Sequence, residues 1–195
     1  MARQFVAALA AVLLLVTGSA GADPARTPTD FVSDLGDRLL TELKRDLPRG
    51  ELQGRLQELF TEAFDVPVVA KFVLGRHWKA ATESQQHEYL GLFGRYVGGI
   101  YATQFSDYSG ETFEIRAQTQ LSGGDVLVRL DIIRPDGPPL PVDFRVRREQ
   151  ETLRIVDVAV EGLSLIVTKR DEFGSLVQRE GMEGLLEALR RTSAG

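Results

Sequence analysis

The sequence predicts an α+β fold, in which an antiparallel four-stranded meander sheet is covered by amino-terminal and carboxy-terminal helices. Three observations predict it. Apolar residues recur at helical spacing from Phe31 to Phe105. The period then falls from about 3.6 to 2 near Tyr108-Ser109-Gly110, and helical spacing returns after Leu163. Runs of helices and strands that segregate in this way stack helices on one face of an antiparallel sheet.

Each element has its own signal. Thr29 or Asp30 is placed to cap a first helix that carries Phe31, Leu35, Leu39, Leu40 and Leu43 on one side. Pro48-Arg49-Gly50 ends it, and a second helix follows from Glu51 to Phe64. Asp65-Val66-Pro67 opens a short third helix, Pro67 to Leu74, which stops at Gly75. The stretch around His77 reads as a loop. Thr82-Glu83-Ser84-Gln85 begins a longer helix that reaches Phe105.

Four strands are expected next. Thr112–Gln120 sets Phe113, Ile115 and Ala117 against Glu114 and Arg116. Asp125–Arg134 sets Val126, Val128, Leu130 and Ile132 against Leu127, Arg129, Asp131 and Ile133. Pro141–Glu149 sets Val142, Phe144 and Val146 against Asp143, Arg145 and Arg147, and Leu153–Val160 is almost wholly apolar. The turn signals Ser122-Gly123-Gly124-Asp125 and Pro135-Asp136-Gly137 keep the connections short, so successive strands pair antiparallel with one apolar and one wet face. Two helical segments, Leu163–Arg179 and Met182–Arg190, close the chain.

The first 22 residues stand apart from this pattern. Arg3, the apolar run Phe5–Val16 and the small residues Ala20-Gly21-Ala22 have the layout of a secretory signal peptide cut after Ala22. The run is shorter than the roughly 20 residues of a spanning helix. Residues 23–195 are then expected to form a single exported domain. Losing Arg3 takes the net charge from −5 to −6, which opposes general nucleic-acid binding. The chain has no cysteine, so disulfides and thiolate metal sites are excluded and the apolar core must hold the fold alone.

Catalytic chemistry has no local signature. The only histidines, His77 and His87, lack the HxxxH or HExxH spacing of a metal site. Ser164, in Gly162-Leu163-Ser164-Leu165, is not in a nucleophile elbow. Nothing local favours a catalytic residue, a metal or a cofactor, although a site can be assembled from distant residues. Gly91, Gly94, Gly98 and Gly99 on the long helix each cost roughly 1 kcal/mol relative to Ala. Either another helix approaches closely there, or the helix leaves room beside a pocket.

The apolar inventory is likewise open to two readings. Sheet and helices either close into an ordinary core or leave a gap that acyl chains fill. Burial of about 0.8 kcal/mol per CH₂ makes the second energetically feasible.

The motifs between Phe64 and Phe173 bear on that choice. Phe72-Val73-Leu74-Gly75-Arg76-His77-Trp78, Tyr108-Ser109-Gly110-Glu111-Thr112 and Ile133-Arg134-Pro135-Asp136-Gly137 come first. Pro141–Arg148, Ile155–Leu165 and Lys169-Arg170-Asp171-Glu172-Phe173 follow in order. This succession resembles the MlaC-type family, also called toluene-tolerance periplasmic phospholipid-binding proteins. Val68–Gly75 and Arg170–Gln178 are similar to its hopanoid-associated branch. His77 departs from the tyrosine common before the tryptophan in that family, so that position is given no role.

The resemblance implies a periplasmic carrier of phospholipid or another membrane lipid. It implies transient partners in an inner-membrane ABC transporter complex and an outer-membrane lipoprotein complex. It also implies a deep apolar cavity between sheet and helices. On the resemblance and the alternation together, the lining is expected at Val73, Trp78, Phe93, Tyr96, Val97, Ile100, Val128, Leu130, Val142, Phe144, Val158 and Leu163. Arg76 and Arg145 are candidates for a head-group phosphate, since guanidinium pairs with phosphate through a fork of N–H groups. A hopanoid carrier, a small enzyme on the same scaffold and an adaptor with a solid core remain the alternatives.

Overall fold

The computed structural model describes residues 26–104 and 108–193. The expected signal peptide, Phe105 and the side chain of Ile100 lie outside the described residues. The element order is α1 (Pro28–Leu43), α2 (Arg49–Ala63), α3 (Val66–Leu74), α4 (Arg76–Ala80), α5 (Glu83–Gln104), β1 (Thr112–Gln120), β2 (Val126–Ile133), β3 (Leu140–Glu149), β4 (Thr152–Val160), β5 (Leu163–Ser164) and α6 (Leu165–Ser193).

Local chemistry sets the helix starts. The cap of α1 is Thr27, not Thr29 or Asp30. Its side chain accepts from the Asp30 N–H at 3.1 Å, and Asp30 accepts in return from the Thr27 N–H. Pro28 then needs no donor at the first helical position. Asp65 caps α3 through the Val68 N–H at 3.0 Å, and Thr82 and Gln85 cap α5 reciprocally. The expected loop around His77 is the short helix α4. Gly75 separates it from α3 with a φ of +57°, and the Arg170 guanidinium sits 3.1 Å from where a Gly75 β-carbon would be. The closing helix is broken at Gly181, whose φ of 73° and ψ of 179° suit glycine almost alone. This break divides α6 into the two expected segments.

The sheet has five antiparallel strands in the order β1-β2-β3-β4-β5, one more than expected. The extra strand is Leu163–Ser164, expected as the start of a helix. Its two residues pair with Val160 and Ala159 instead, and Ser164 then caps α6 by accepting from the Val167 N–H at 3.1 Å. Two β-bulges adjust the phase of the side chains. In β1 the pairing shifts between Ile115 and Ala117, so that Ala117 lies opposite Arg129 on the outer face rather than on the apolar one. In β4 the shift at Val156 lets both Ile155 and Val158 lie opposite inward-facing residues of β3, Val146 and Phe144. Ile155 and Val158, three positions apart, therefore both face inward, which breaks strict alternation in β4.

The inward face carries Val128, Leu130, Val142, Val146, Leu153, Ile155 and Val158, packed with Phe31, Val32 and Ala63 of α1 and α2. The outward face carries cross-strand ion pairs, Arg116–Asp131 at 2.8 Å and Arg129–Asp143 at 2.7 Å. Beyond β5 the edge of β4 is covered by the chain at Phe64–Asp65, where the Asp65 N–H donates to the Ile155 carbonyl at 3.0 Å.

The buried residues of a second apolar cluster lie among α3, α5 and α6, with Trp78 of α4 packed against them. Phe173 is its centre, with ring centroids 6.5, 6.2 and 5.7 Å from Tyr89, Phe93 and Tyr96. The glycines of α5 serve packing in part. A β-carbon at Gly98 would fall 3.0 Å from Gln57 of α2, and one at Gly94 would meet Val66.

Candidate functional site

The expected lining residues divide between the two clusters. Val73, Trp78, Phe93, Tyr96 and Val97 belong to the helical cluster, and Val128, Leu130, Val142, Phe144 and Val158 to the sheet cluster. The buried residues of the two sets form separate groups, connected where α3 and α6 pack on β4.

One end of the sheet is incompletely covered. Register places Phe113, Ile132, Leu140, Val160 and Leu163 across its apolar face at that end. The first four are only half-buried, and Leu163 is 71% exposed. A row of this kind leaves apolar surface available to a further apolar body.

Two cavities stand out. A cleft of about 630 Å³ lies between the two segments of α6, with Tyr96, Phe173, Leu176, Leu185, Ala188 and Leu189 as its apolar lining and Asp171, Glu172 and Arg179 among its charged residues. A smaller one, about 340 Å³ between α1 and α2, is lined mainly by Asp37, Arg38, Glu42, Arg55, Glu58 and Glu62, a set unsuited to hydrocarbon. Tyr96 is the one expected lining residue that touches the larger cleft.

The two candidate arginines are placed differently. Arg76 is exposed at the start of α4, its Nε 3.4 Å from His77. Arg145 is on the outward face of β3, opposite the apolar lining. Its guanidinium, with that of Arg147, holds Asp125, at 2.6 and 2.9 Å respectively. Asp125 is 2% exposed, and the hydrogen bond from Arg147, joined by that from Arg145, keeps its carboxyl below the usual aspartate range despite desolvation. The structure therefore commits Arg145 to fastening the β1–β2 turn onto β3, away from any head group on the apolar face.

Sequence reasoning left out Phe173, Leu176, Leu185 and Leu189, which the helical cluster or the cleft uses. The spacing of Leu185, Leu186 and Leu189 was the available signal. The expected lining also omits the exposed Phe72, Leu165 and Val167. Leu163, Leu165, Ile166 and Val167 crowd one helix start, and only Ile166 among them is buried.

Among the described residues no three His, Asp or Glu side chains are grouped to hold a metal ion. His87 is exposed, and Ser164 donates to Asp157 at 2.8 Å while capping α6. No described helix is long and apolar enough to cross a membrane.

Fold and site together define an α+β protein with an antiparallel sheet, helices over its apolar face and an apolar surface left partly uncovered. The chain belongs to the MlaC family, whose profile, described as MlaC protein, matches residues 33–191. It is similar to the intermembrane phospholipid transport system binding protein MlaC of Haemophilus influenzae, with 20% identity over 126 residues. That stretch is 63% of this chain and 59% of the relative, so the chain spans less than two thirds of the relative's length. The fold is shared with the phospholipid-binding protein of Ralstonia solanacearum, whose structure at 1.53 Å holds a phospholipid. That superposition has a TM-score of 0.73 and 24% identity, and it covers 85% of this chain and 96% of the other.

Proposed function

We propose that residues 23–195 form one lipid-binding domain that carries phospholipid, exported to the periplasm by a signal peptide at residues 1–22. Its partners are an inner-membrane ABC transporter complex and an outer-membrane lipoprotein complex, met in turn. The observation that carries this reading is the division of the apolar interior into two clusters, with a half-covered row of apolar side chains from Phe113 to Leu163 beside them. Acyl chains entering between sheet and helices would contact Val128, Leu130, Val142, Phe144 and Val158 below, and Val73, Trp78, Phe93, Tyr96 and Val97 above. Leu163 stands at the opening. The exposed Arg76 is the better placed of the two arginines for a phosphate.

The energetics suit a carrier. Two acyl chains gain on the order of 20 kcal/mol gross at about 0.8 kcal/mol per CH₂. The competing bilayer and the ordering of the ligand offset most of it, leaving a balance at which loading and release are both possible. This reading assigns the chain no catalytic step and no cofactor.

Native mass spectrometry of the exported protein, followed by lipid extraction, tests the reading. Phospholipid at near-stoichiometric yield is the expected result. Recovery of a polycyclic lipid instead would assign the chain to hopanoid traffic, and recovery of no lipid from freshly exported protein would reject the carrier function.

A further inference from the structure

The exposed large apolar side chains are gathered at one corner of the molecule. Among the described residues these are Phe72 (47% exposed), Leu163, Leu165 and Val167 (48%). α3 packs against α6 there, and the Arg170 guanidinium lies 4.9 Å from the centre of the Phe72 ring. Val167 is three positions before Arg170 on α6, so these two are neighbours on one helix face, and Leu163 lies in β5 immediately before that helix.

The α3–α4 segment at this corner is cationic in an acidic protein. From Val66 to Thr82 the sequence has Lys71, Arg76 and Lys79 and no carboxylate, although the chain as a whole has a net charge of −5. Arg170 adds a fourth cation beside Gly75. Among the described residues none of the four is ion-paired. Lys71 instead lies 5.4 Å from the Trp78 ring and Arg170 over Phe72, arrangements that leave the charge uncompensated. The neighbouring Lys169 differs, being bound by Glu172 at 2.6 Å. Asp65 and Asp157 are occupied by the Val68 N–H and the Ser164 hydroxyl. Glu161 and Asp171 border the patch without meeting any of the four cations.

We propose that this corner is a docking surface for an anionic lipid bilayer. Apolar side chains that protrude, rather than line a groove, fit the boundary between head groups and acyl chains, and unpaired cations around them fit an anionic head-group layer. Charge complementarity argues for this occupant, since Lys71, Arg76, Lys79 and Arg170 carry no ion pair of their own among the described residues and an anionic head-group layer supplies the missing partners. Leu163 belongs both to this patch and to the half-covered row of the sheet, so docking here brings the bilayer to the opening through which cargo would pass. The docking rests on the surface alone. Only its link to loading depends on the lipid-carrier reading.

Flotation of the full exported chain with vesicles tests it. Binding is expected to mixed phosphatidylglycerol–phosphatidylcholine vesicles, about tenfold weaker on phosphatidylcholine alone and similarly weakened at about 0.5 M sodium chloride. The pairs Phe72→Ser with Val167→Ser, and Lys71→Gln with Lys79→Gln, are each expected to lower binding roughly tenfold. Arg49→Gln with Arg191→Gln, which removes the same charge elsewhere, is expected to leave it unchanged. All six positions are exposed, and unchanged melting temperatures verify folding. Wild-type protein that ignores anionic vesicles, or patch variants that float as wild type does, overturns the proposal. Patch variants that lose a protein partner while vesicles bind neither form overturn it in favour of protein docking. Lipid extracted from the same preparations reads the cargo separately, so variants that keep their lipid but fail to float uphold docking. Intact flotation without extractable lipid sinks only the carrier reading.

Discussion

Phe113 of β1 lies across Gly36 of α1 so closely that a β-carbon on Gly36 would come within 2.5 Å of the ring. This contact sets how near the first helix approaches the apolar face of the sheet. Ala in place of a helical Gly ordinarily stabilises by up to about 1 kcal/mol. Here Gly36→Ala is expected to destabilise by about 1–3 kcal/mol, because the ring belongs to the sheet cluster and must be displaced. Urea unfolding measures the change. Combining it with Phe113→Leu should restore part of the loss, and strict additivity of the two substitutions would reject the contact.

Asp125 ties the first hairpin to β3 through Arg145 and Arg147. Asp125→Asn is expected to cost about 1–2 kcal/mol, a moderate figure because both arginines remain partly solvated. The pH dependence has a definite sign. The carboxyl is held below its unfolded value, so the folded state binds fewer protons. Its contribution is complete above the ordinary aspartate pKa of about 4 and is lost as pH falls through the lowered value. Urea midpoints measured from pH 5 downward should fall less steeply in Asp125→Asn than in the wild type.

Tyr89 is completely buried and donates its hydroxyl to the Ala70 carbonyl at 3.0 Å. Tyr89→Phe should cost about 1 kcal/mol, since the carbonyl is left without this donor. Burial pushes the phenol far above its ordinary range. Stability from the neutral phenol is present below the unfolded value and is lost as pH rises beyond it. In an alkaline absorbance titration one tyrosine is therefore expected to ionise only together with unfolding. That step should vanish in the variant.

Val160 belongs to the half-covered row, between Val142 of β3 and Leu163 of β5. Val160→Trp would fill space at this end of the apolar face. Extracted lipid is expected to fall roughly tenfold, equivalent to about 1.4 kcal/mol, with little change in melting temperature. Undiminished lipid would place the cargo elsewhere, the cleft between the two segments of α6 being the next candidate.

Much of the fold was legible from the chain because its signals are local. Alternation in β2 and β3 assigned Val128, Leu130, Val142 and Val146 to one face and Arg129, Asp143 and Arg147 to the other, and the register agrees. Gly181 divided the last helix where the sequence indicated. Ala117 was misplaced because a bulge is decided by how two strands pair, which alternation within one strand does not report. Leu163 was read as helical because a two-residue strand has no period. Its pairing with Val160 is a tertiary fact.

The candidate site was less legible, for a related reason. Arg145 has the chemistry to bind phosphate, but a guanidinium on the outward face beside a buried carboxylate is already engaged, and only the three-dimensional neighbourhood reveals Asp125. The exposed corner at Phe72 and Val167 was equally hidden, since apolar residues at helical spacing look the same whether their partner is the core or nothing.

By itself, then, the sequence determined the class of fold, the order of its elements, the polarity of the two sheet faces and the family likeness. All of these follow from short-range periodicity, turn chemistry and motif order. Only the tertiary structure decided which arginine is free, where the sheet is left uncovered and which cations lack partners. Those properties depend on contacts between residues far apart in the chain, and no local pattern encodes the distance between them.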